Sequence, residues 1–265
     1  MELITIITIV KNDVHGLRRT LKSIKSQDIQ NWELLVVSAP SEDGTLELAE
    51  EMAKSHSKVK VIKQKSLGIF PAMNEGIEQA RGSHIWFMNS GDVFANPKVL
   101  ELAITEFLTS STGVVIGGYQ ISLPDSTKKY SFARKELSPF NFAFSRRGGC
   151  HQAMLFKTSL VKQVGGFDPK YKFNADFSLV LSIIQVGGGL RVPEIYADVE
   201  PGGFADQNIY SVHAEKHEIR EIFFNNGWIN VLSTCWTIAA RIKILSSAVL
   251  NKAIRDLPQL LNHSS

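Results

Sequence analysis

An α/β fold with a mostly parallel central sheet flanked by helices is what this sequence predicts, and three observations predict it. Strand-like and helix-like segments alternate three times before residue 90, which calls for right-handed crossovers between parallel strands. Residues 3–10, 32–37 and 84–88 are nearly continuous apolar runs, the pattern of strands buried on both faces. The last run leads straight into Asn89-Ser90-Gly91-Asp92. Open α/β sheets bind ligands just past the carboxyl ends of their strands, so this polar tetrad sits where a nucleotide–metal site is expected.

The elements follow in order. Residues 3–10 (LITIITIV) are β-branched almost throughout and read as a central strand. Lys11-Asn12-Asp13 opens a helix on which Leu17, Leu21 and Ile24 recur at helical spacing. Trp32–Val37 is the second strand, and a loop ending in Gly44 leads to a helix over 45–53. Residues 59–62 alternate as a third strand. The next helix, 71–80, places Met73, Ile77 and Ala80 on one face, with Pro71 in its first turn and Gly82 at its exit. After the fourth strand and its tetrad come a helix from 96–97 to 107 and a strand at 114–116. The basic stretch 123–147 suggests exposed strands and a loop. A strand is expected over 150–156, a short helix over 158–164, a turn at 165–168, and a helix over 175–186. Asp176 falls in the first turn of that helix, where the dipole favours a carboxylate.

Size and composition bound the rest. The 265 residues suit one large α/β domain with a small appendage, here 1–225 followed by a helical tail at 226–265. The donor-side half is expected over about 1–119 and the acceptor side over about 120–225. A net charge of +3 does not argue for nucleic acid. Two cysteines, Cys150 and Cys235, cannot form a disulfide framework, which points to a reducing compartment. The N-terminus has no basic region ahead of its apolar run, so it reads as a strand and not a signal peptide. No apolar run reaches the ~18 residues of a spanning helix. In the tail, Arg241, Lys243, Lys252 and Arg255 face a single acid, Asp256. Such a segment either lies in a membrane interface or packs on the domain or a second subunit. A cytoplasmic protein, with peripheral contact at the inner membrane face in the first case, is expected.

Taken together, several stretches resemble the family-2 glycosyltransferases of the GT-A fold. They are ITIVKN with L-x-x-T-L-x-S-I-x-x-Q, SEDGT after strand two, GIFPAMNEGIEQARG, FMNSGDVF, CHQAMLF, GGFD and NADFSL, all in the family's order over about residues 3–204. The resemblance implies a nucleotide-sugar donor, UDP-linked first and GDP- or dTDP-linked as alternatives. It also implies a divalent manganese or magnesium ion held by Asp92, with a neutral oxygen from Asn89, and Ser90 within the same tetrad. Such an ion stabilises the charge growing on a diphosphate leaving group. The donor is expected near Thr8, Val10 and Asn12 at the end of strand one, near Ser38, and near Gly68 and Asn74. Asp176 holds the position of the base that deprotonates the acceptor, in a reaction that usually inverts configuration. His151 and Gln152 match a His-Gln pair beside the pocket, as donor or acceptor contacts or as a satisfied core histidine. Asp168 reads mainly as a turn residue.

This chain departs from the family pattern at Ser38, Pro71, Asn89 and Gly91, where acidic residues are common. A catalytically decayed nucleotide- or glycan-binding relative is therefore the second reading. The Gly202-Gly203-Phe204 stretch resembles the family's acceptor-side loop or is an ordinary turn. His213 and His217, four apart, have metal-ligand spacing but read better as a solvated helical face. Neither a Q-x-x-R-W stretch nor flanking spanning helices appear, which disfavours a processive synthase. A phosphate loop of the nucleotidyltransferase kind is also absent near strand one.

Overall fold

The computed structural model describes residues 2–123, 125–145, 149–201 and 208–225. The first four strands are β1 (Ile4–Val10), β2 (Trp32–Ser38), β3 (Val59–Lys63) and β4 (His84–Phe87). They are joined through helices α1 (Val14–Lys25), α2 (Thr45–Ser55) and α3 (Ile69–Gln79). The four strands lie parallel in the order β3-β2-β1-β4, with Ile7 opposite both Leu35 and Phe87. This is the doubly covered parallel sheet that the apolar runs predict.

Beyond β4 come β5 (Val93–Phe94), α4 (Val99–Thr109), β6 (Val114–Leu123), β7 (Ser126–Tyr130), β8 (Lys135–Leu137) and α5 (Pro139–Ala143). A 3-10 turn (His151–Ala153), β9 (Met154–Lys157), α6 (Thr158–Gln163), α7 (Ala175–Gly187) and β10 (Gly189–Asp198) complete the first compact unit, residues 1–203. The sheet continues β4-β9-β6-β10-β5, and β9 runs antiparallel between β4 and β6. The second unit spans 204–265, and its described part is α8 (Ile209–Phe224). The basic tail at 226–265 and the Gly202-Gly203-Phe204 stretch lie outside the described residues.

Side-chain alternation along the strands builds two cores. Ile4, Ile6, Leu34, Val36 and Trp86 pack with Leu17, Leu21, Leu48 and Ala103. The opposite face carries Ile7, Ile85 and Phe87, all buried, with Phe87 edge-on to Phe156 and Phe167 at 5.7 and 4.9 Å. Helix α3 sits so close to β1 that a Cβ on Gly76 would strike Ile7, which explains a glycine inside a helix despite its propensity cost. Buried Glu33 ties β1 and β2 to the segment that leads into β4. It accepts from Thr5 Oγ1 (2.7 Å), from the Arg81 backbone (2.8 Å) and from Arg81 Nε (2.7 Å).

Two differences from the sequence expectation bear on the site. Within the strand expected over 150–156, His151–Ala153 turn as a 3-10 helix before β9 begins, held by polar contacts described below. Strand β10 was not expected at all: Pro193 interrupts its pattern, and its pairing to β6 shifts register between Arg191 and Ala197. A proline inside a strand requires such an irregularity. No helix among the described residues is long and apolar enough to cross a membrane.

Candidate active site

The carboxyl ends of β1 and β2 and the start of α3 enclose a cleft of about 510 Å³. Val10, Lys11, Ala39, Pro40, Lys65 and Leu67 are among its walls. Leu67 is 96% exposed on its rim. The rim segment 64–68 is held by Glu75 on α3, whose carboxylate accepts from the backbone N–H groups of Lys65 (3.0 Å) and Ser66 (2.7 Å). Desolvation pushes the Glu75 carboxyl up, but these hydrogen bonds outweigh it and leave it below its ordinary range. Gln64 Nε2 reaches the Gly68 carbonyl at 3.0 Å, and Gly68 itself needs its φ of +113° to enter α3. Glu75→Ala is expected to free this rim with little change in melting temperature, because the hydrogen bonds it loses are exposed. Limited proteolysis of the rim and thermal melts check it.

The tetrad after β4 adjoins this cleft through β1. Ser90 donates its N–H to the carbonyl of Ile9 (3.2 Å), a cleft residue. Its hydroxyl meets Asp13 Oδ2 at 2.7 Å, while Asp13 Oδ1 caps α1 at the Gly16 N–H. Thr20 on α1 donates to the Asp92 carbonyl at 2.7 Å. Asp92 itself is 5% exposed. Its Oδ1 accepts from the Glu200 N–H (2.9 Å) and its Oδ2 from Gln152 Nε2 (2.7 Å). Burial raises its pKa to about 6, against the opposing pull of those two hydrogen bonds and of His151.

A second chain of contacts runs from the same tetrad. Asn89 Nδ2 lies 3.3 Å from His151 Nε2, and His151 Nδ1 lies 3.2 Å from Asp176 Oδ2. Asp176 sits in the first turn of α7, with its side chain 29% exposed, while that of His151 is 13% exposed. The turn carrying His151 is fixed by Trp86 Nε1, which donates to the Gln152 carbonyl at 2.8 Å. The structure therefore gathers Asn89, Ser90, Asp92, His151, Gln152 and Asp176 into one corner.

The remaining expected donor residues are dispersed. Val10 and Gly68 line the cleft. Thr8 is fully buried on the face of Ile4 and Ile6, its hydroxyl without a partner. Ser38 is buried too and donates to the Ala39 carbonyl at 3.2 Å. Asn12 adopts a left-handed φ of +47°, which asparagine tolerates. It joins the two loops by accepting from Glu42 N at 2.9 Å and donating its own N–H to Ser41 Oγ at 3.0 Å. Asn74 clamps Phe167, donating to its carbonyl (2.8 Å) and accepting from its N–H (2.9 Å). Asp168 accepts from Lys170 N in the following turn. On α8, His217 meets Glu221 at 3.4 Å.

For a divalent ion, Asp92 is a buried carboxylate whose two oxygens each accept one hydrogen bond, from Gln152 and from the Glu200 N–H. A more exposed carboxylate beside it is Glu200, whose Oε2 fills the space that a Cβ on Gly91 would take. Its Oε1 meets Arg19 at 2.8 Å. Hard divalent cations take such oxygen donors. A carboxylate has more lone pairs than two hydrogen bonds use, so Glu200 backed by Asp92 fits the ion. Neither Glu200, Arg19 nor Glu75 stood out in the sequence; each acts through a partner distant along the chain or through local backbone.

The family model "Glycosyl transferase family 2" matches residues 5–164. The chain belongs to glycosyltransferase family 2. An uncharacterized glycosyltransferase of Mycobacterium tuberculosis is 27% identical over 190 residues, which cover 67% of each chain. A putative teichuronic acid biosynthesis glycosyltransferase of Bacillus subtilis, TuaG, is 24% identical over 189 residues, covering 70% of this chain and 73% of that one. The fold is also that of S. aureus TarS 1–349, solved in complex with UDP, with a TM-score of 0.68 at 17% identity over 99% of this chain and 78% of that one. This family-2 glycosyltransferase thus has the GT-A architecture.

Proposed function

We propose that this glycosyltransferase moves one sugar from a nucleotide-sugar to a glycan or lipid-linked acceptor in cell-surface polysaccharide synthesis, with inversion at the anomeric carbon. The observation that carries this reading is the shared wall: Ile9 lines the cleft and bonds the tetrad, so a base-and-ribose site and a carboxylate corner adjoin. The apolar walls Val10, Pro40 and Leu67 suit a nucleobase. Lys11, Lys65 and the N-terminus of α3 favour a diphosphate. A UDP-sugar is the leading donor, in keeping with the UDP bound by TarS. The teichuronic acid biosynthesis for which TuaG is named supports a polysaccharide product.

In the transfer, the acceptor oxygen bonds to the anomeric carbon as the bond from that carbon to the diphosphate breaks. The electron pair leaves with the nucleoside diphosphate, and the acceptor proton passes to the Asp176 carboxylate. A manganese or magnesium ion, held by Glu200 and Asp92, would neutralise charge on the leaving diphosphate when bound. Arg19 places Glu200, and Gln152 with the Glu200 N–H places Asp92. Titration calorimetry with UDP, GDP and dTDP, with and without manganese, tests this. Metal-enhanced binding of one nucleotide is expected. Silence for all three would leave the decayed binding relative as the better account.

A further inference from the structure

The apolar walls Val10, Pro40 and Leu67 can hold a nucleobase by its faces, and they leave its identity open. Bases differ along their edges, in the order of donors and acceptors, so selection falls to a polar group of the cleft. Gln64 is such a group. It follows β3, lines the cleft and is half-buried, and its backbone N–H donates to the Ser38 carbonyl at 2.8 Å. Its Nε2 donates to the carbonyls of Ser66 and of Gly68, the latter at 3.0 Å. Carbonyl oxygens only accept, so these two neighbours fix which end of the amide is which: the reverse would set oxygen against oxygen twice. Among the described residues nothing donates to Oε1, and that atom is not enclosed. The side chains around it do not duplicate the acceptor. Lys11 and Lys65 only donate. Ser38 is 2% exposed, with its hydroxyl turned to the Ala39 carbonyl.

We propose that Gln64 selects the base of the donor: its Oε1 accepts the N3–H of a uracil ring, or of thymine, which shares that edge, while Nε2 stays on the rim. The proposal rests on reading this cleft as the base site of a UDP-sugar. The edge chemistry separates the two pyrimidines. Uracil carries a donor, N3–H, between its two carbonyls. Cytosine carries a bare nitrogen at the same place, and its lone pair would face those of Oε1. A site built around one hydrogen bond rejects a ligand of equal size that cannot make it, because the protein's own group is then left unpaired. The Ser38 departure also finds an answer here. The acceptor that an acid at 38 would offer comes instead from the next strand end, on the residue bonded to the Ser38 carbonyl.

UDP and CDP differ only along that edge and serve as the probes, titrated calorimetrically into the full chain with manganese present. The parent is expected to bind UDP at least about tenfold more tightly than CDP. Gln64→Leu, close to the parent side chain in size, should weaken UDP about tenfold and leave CDP within about twofold, so that the preference collapses. The ratio is the readout because Nε2 also holds the rim: a rim loosened by the substitution weakens both nucleotides alike and moves no ratio. A ratio unchanged in Gln64→Leu, or a parent that binds CDP as tightly as UDP, would overturn the role of Gln64 and leave the UDP reading standing. A parent that binds GDP but neither UDP nor dTDP, or that binds no nucleotide, would remove the uridine reading and the role of Gln64 with it.

Discussion

Asp176→Asn is expected to lower kcat by about 10²- to 10⁴-fold, the range that a positioned general base contributes, while nucleotide affinity stays within about twofold. The reasoning starts from placement. Asp176 lies in the first turn of α7, where the helix dipole stabilises its anionic form. One oxygen contacts His151 and the other accepts the N–H of Phe177 at 2.7 Å. Asparagine preserves the shape and can keep a polar contact on each side, so the fold should melt at nearly the same temperature. What it removes is the ability to take a proton at neutral pH. Donor-transfer assays and nucleotide calorimetry on the same preparation read both quantities. Undiminished turnover would move the base to another carboxylate of this corner, with Glu200 and Asp13 the first to test.

How much of this was written in the sequence depends on range. The parallel half of the sheet was legible because β1, β2 and β4 are buried on both faces, and burial leaves a local record of apolar runs. Helix α3 was legible from Met73 and Ile77 at helical spacing. Strand β10 was not, since Pro193 breaks the alternation that would reveal it and only pairing with β6 rescues the strand. The corner shows the same division. Asn89, Asp92, His151 and Asp176 stood out by motif, yet which atom faces which depends on neighbours 60 and 108 positions away in the case of Asp92. Thr8 and Ser38 occupy strand ends where a donor contact was expected. The side-chain alternation that buries their neighbours turns their hydroxyls inward as well. A strand's end is visible from sequence; the face on which its last polar side chain emerges is set by the pairing.

The Asp92 substitutions should reveal that long-range dependence as a pH signature. The folded protein holds this carboxyl at about 6, against an ordinary value of 3.8. Below 3.8 Asp92 is neutral in both folded and unfolded chains, and its contribution to stability is complete. As pH rises through 6 the unfolded chain has already ionised and the folded one follows at a cost, so that contribution is lost. The gap corresponds to about 3 kcal/mol. Asp92→Ala also leaves the Glu200 N–H and Gln152 Nε2 without their acceptor, at about 1–3 kcal/mol each. Destabilisation by Asp92→Ala should therefore be greatest near pH 4 and shrink by about 3 kcal/mol toward pH 8, measured by denaturant unfolding in chelator. A carboxylate engaged in an ordinary salt bridge gives the opposite slope, its loss mattering least in acid. Transfer activity should fall at least about tenfold at either pH, because Gln152 beside His151 and the backbone of Glu200 lose the group that places them. A flat pH difference would mean that Asp92 ionises freely, as a solvent-facing carboxylate does, and would overturn the enclosed placement argued here.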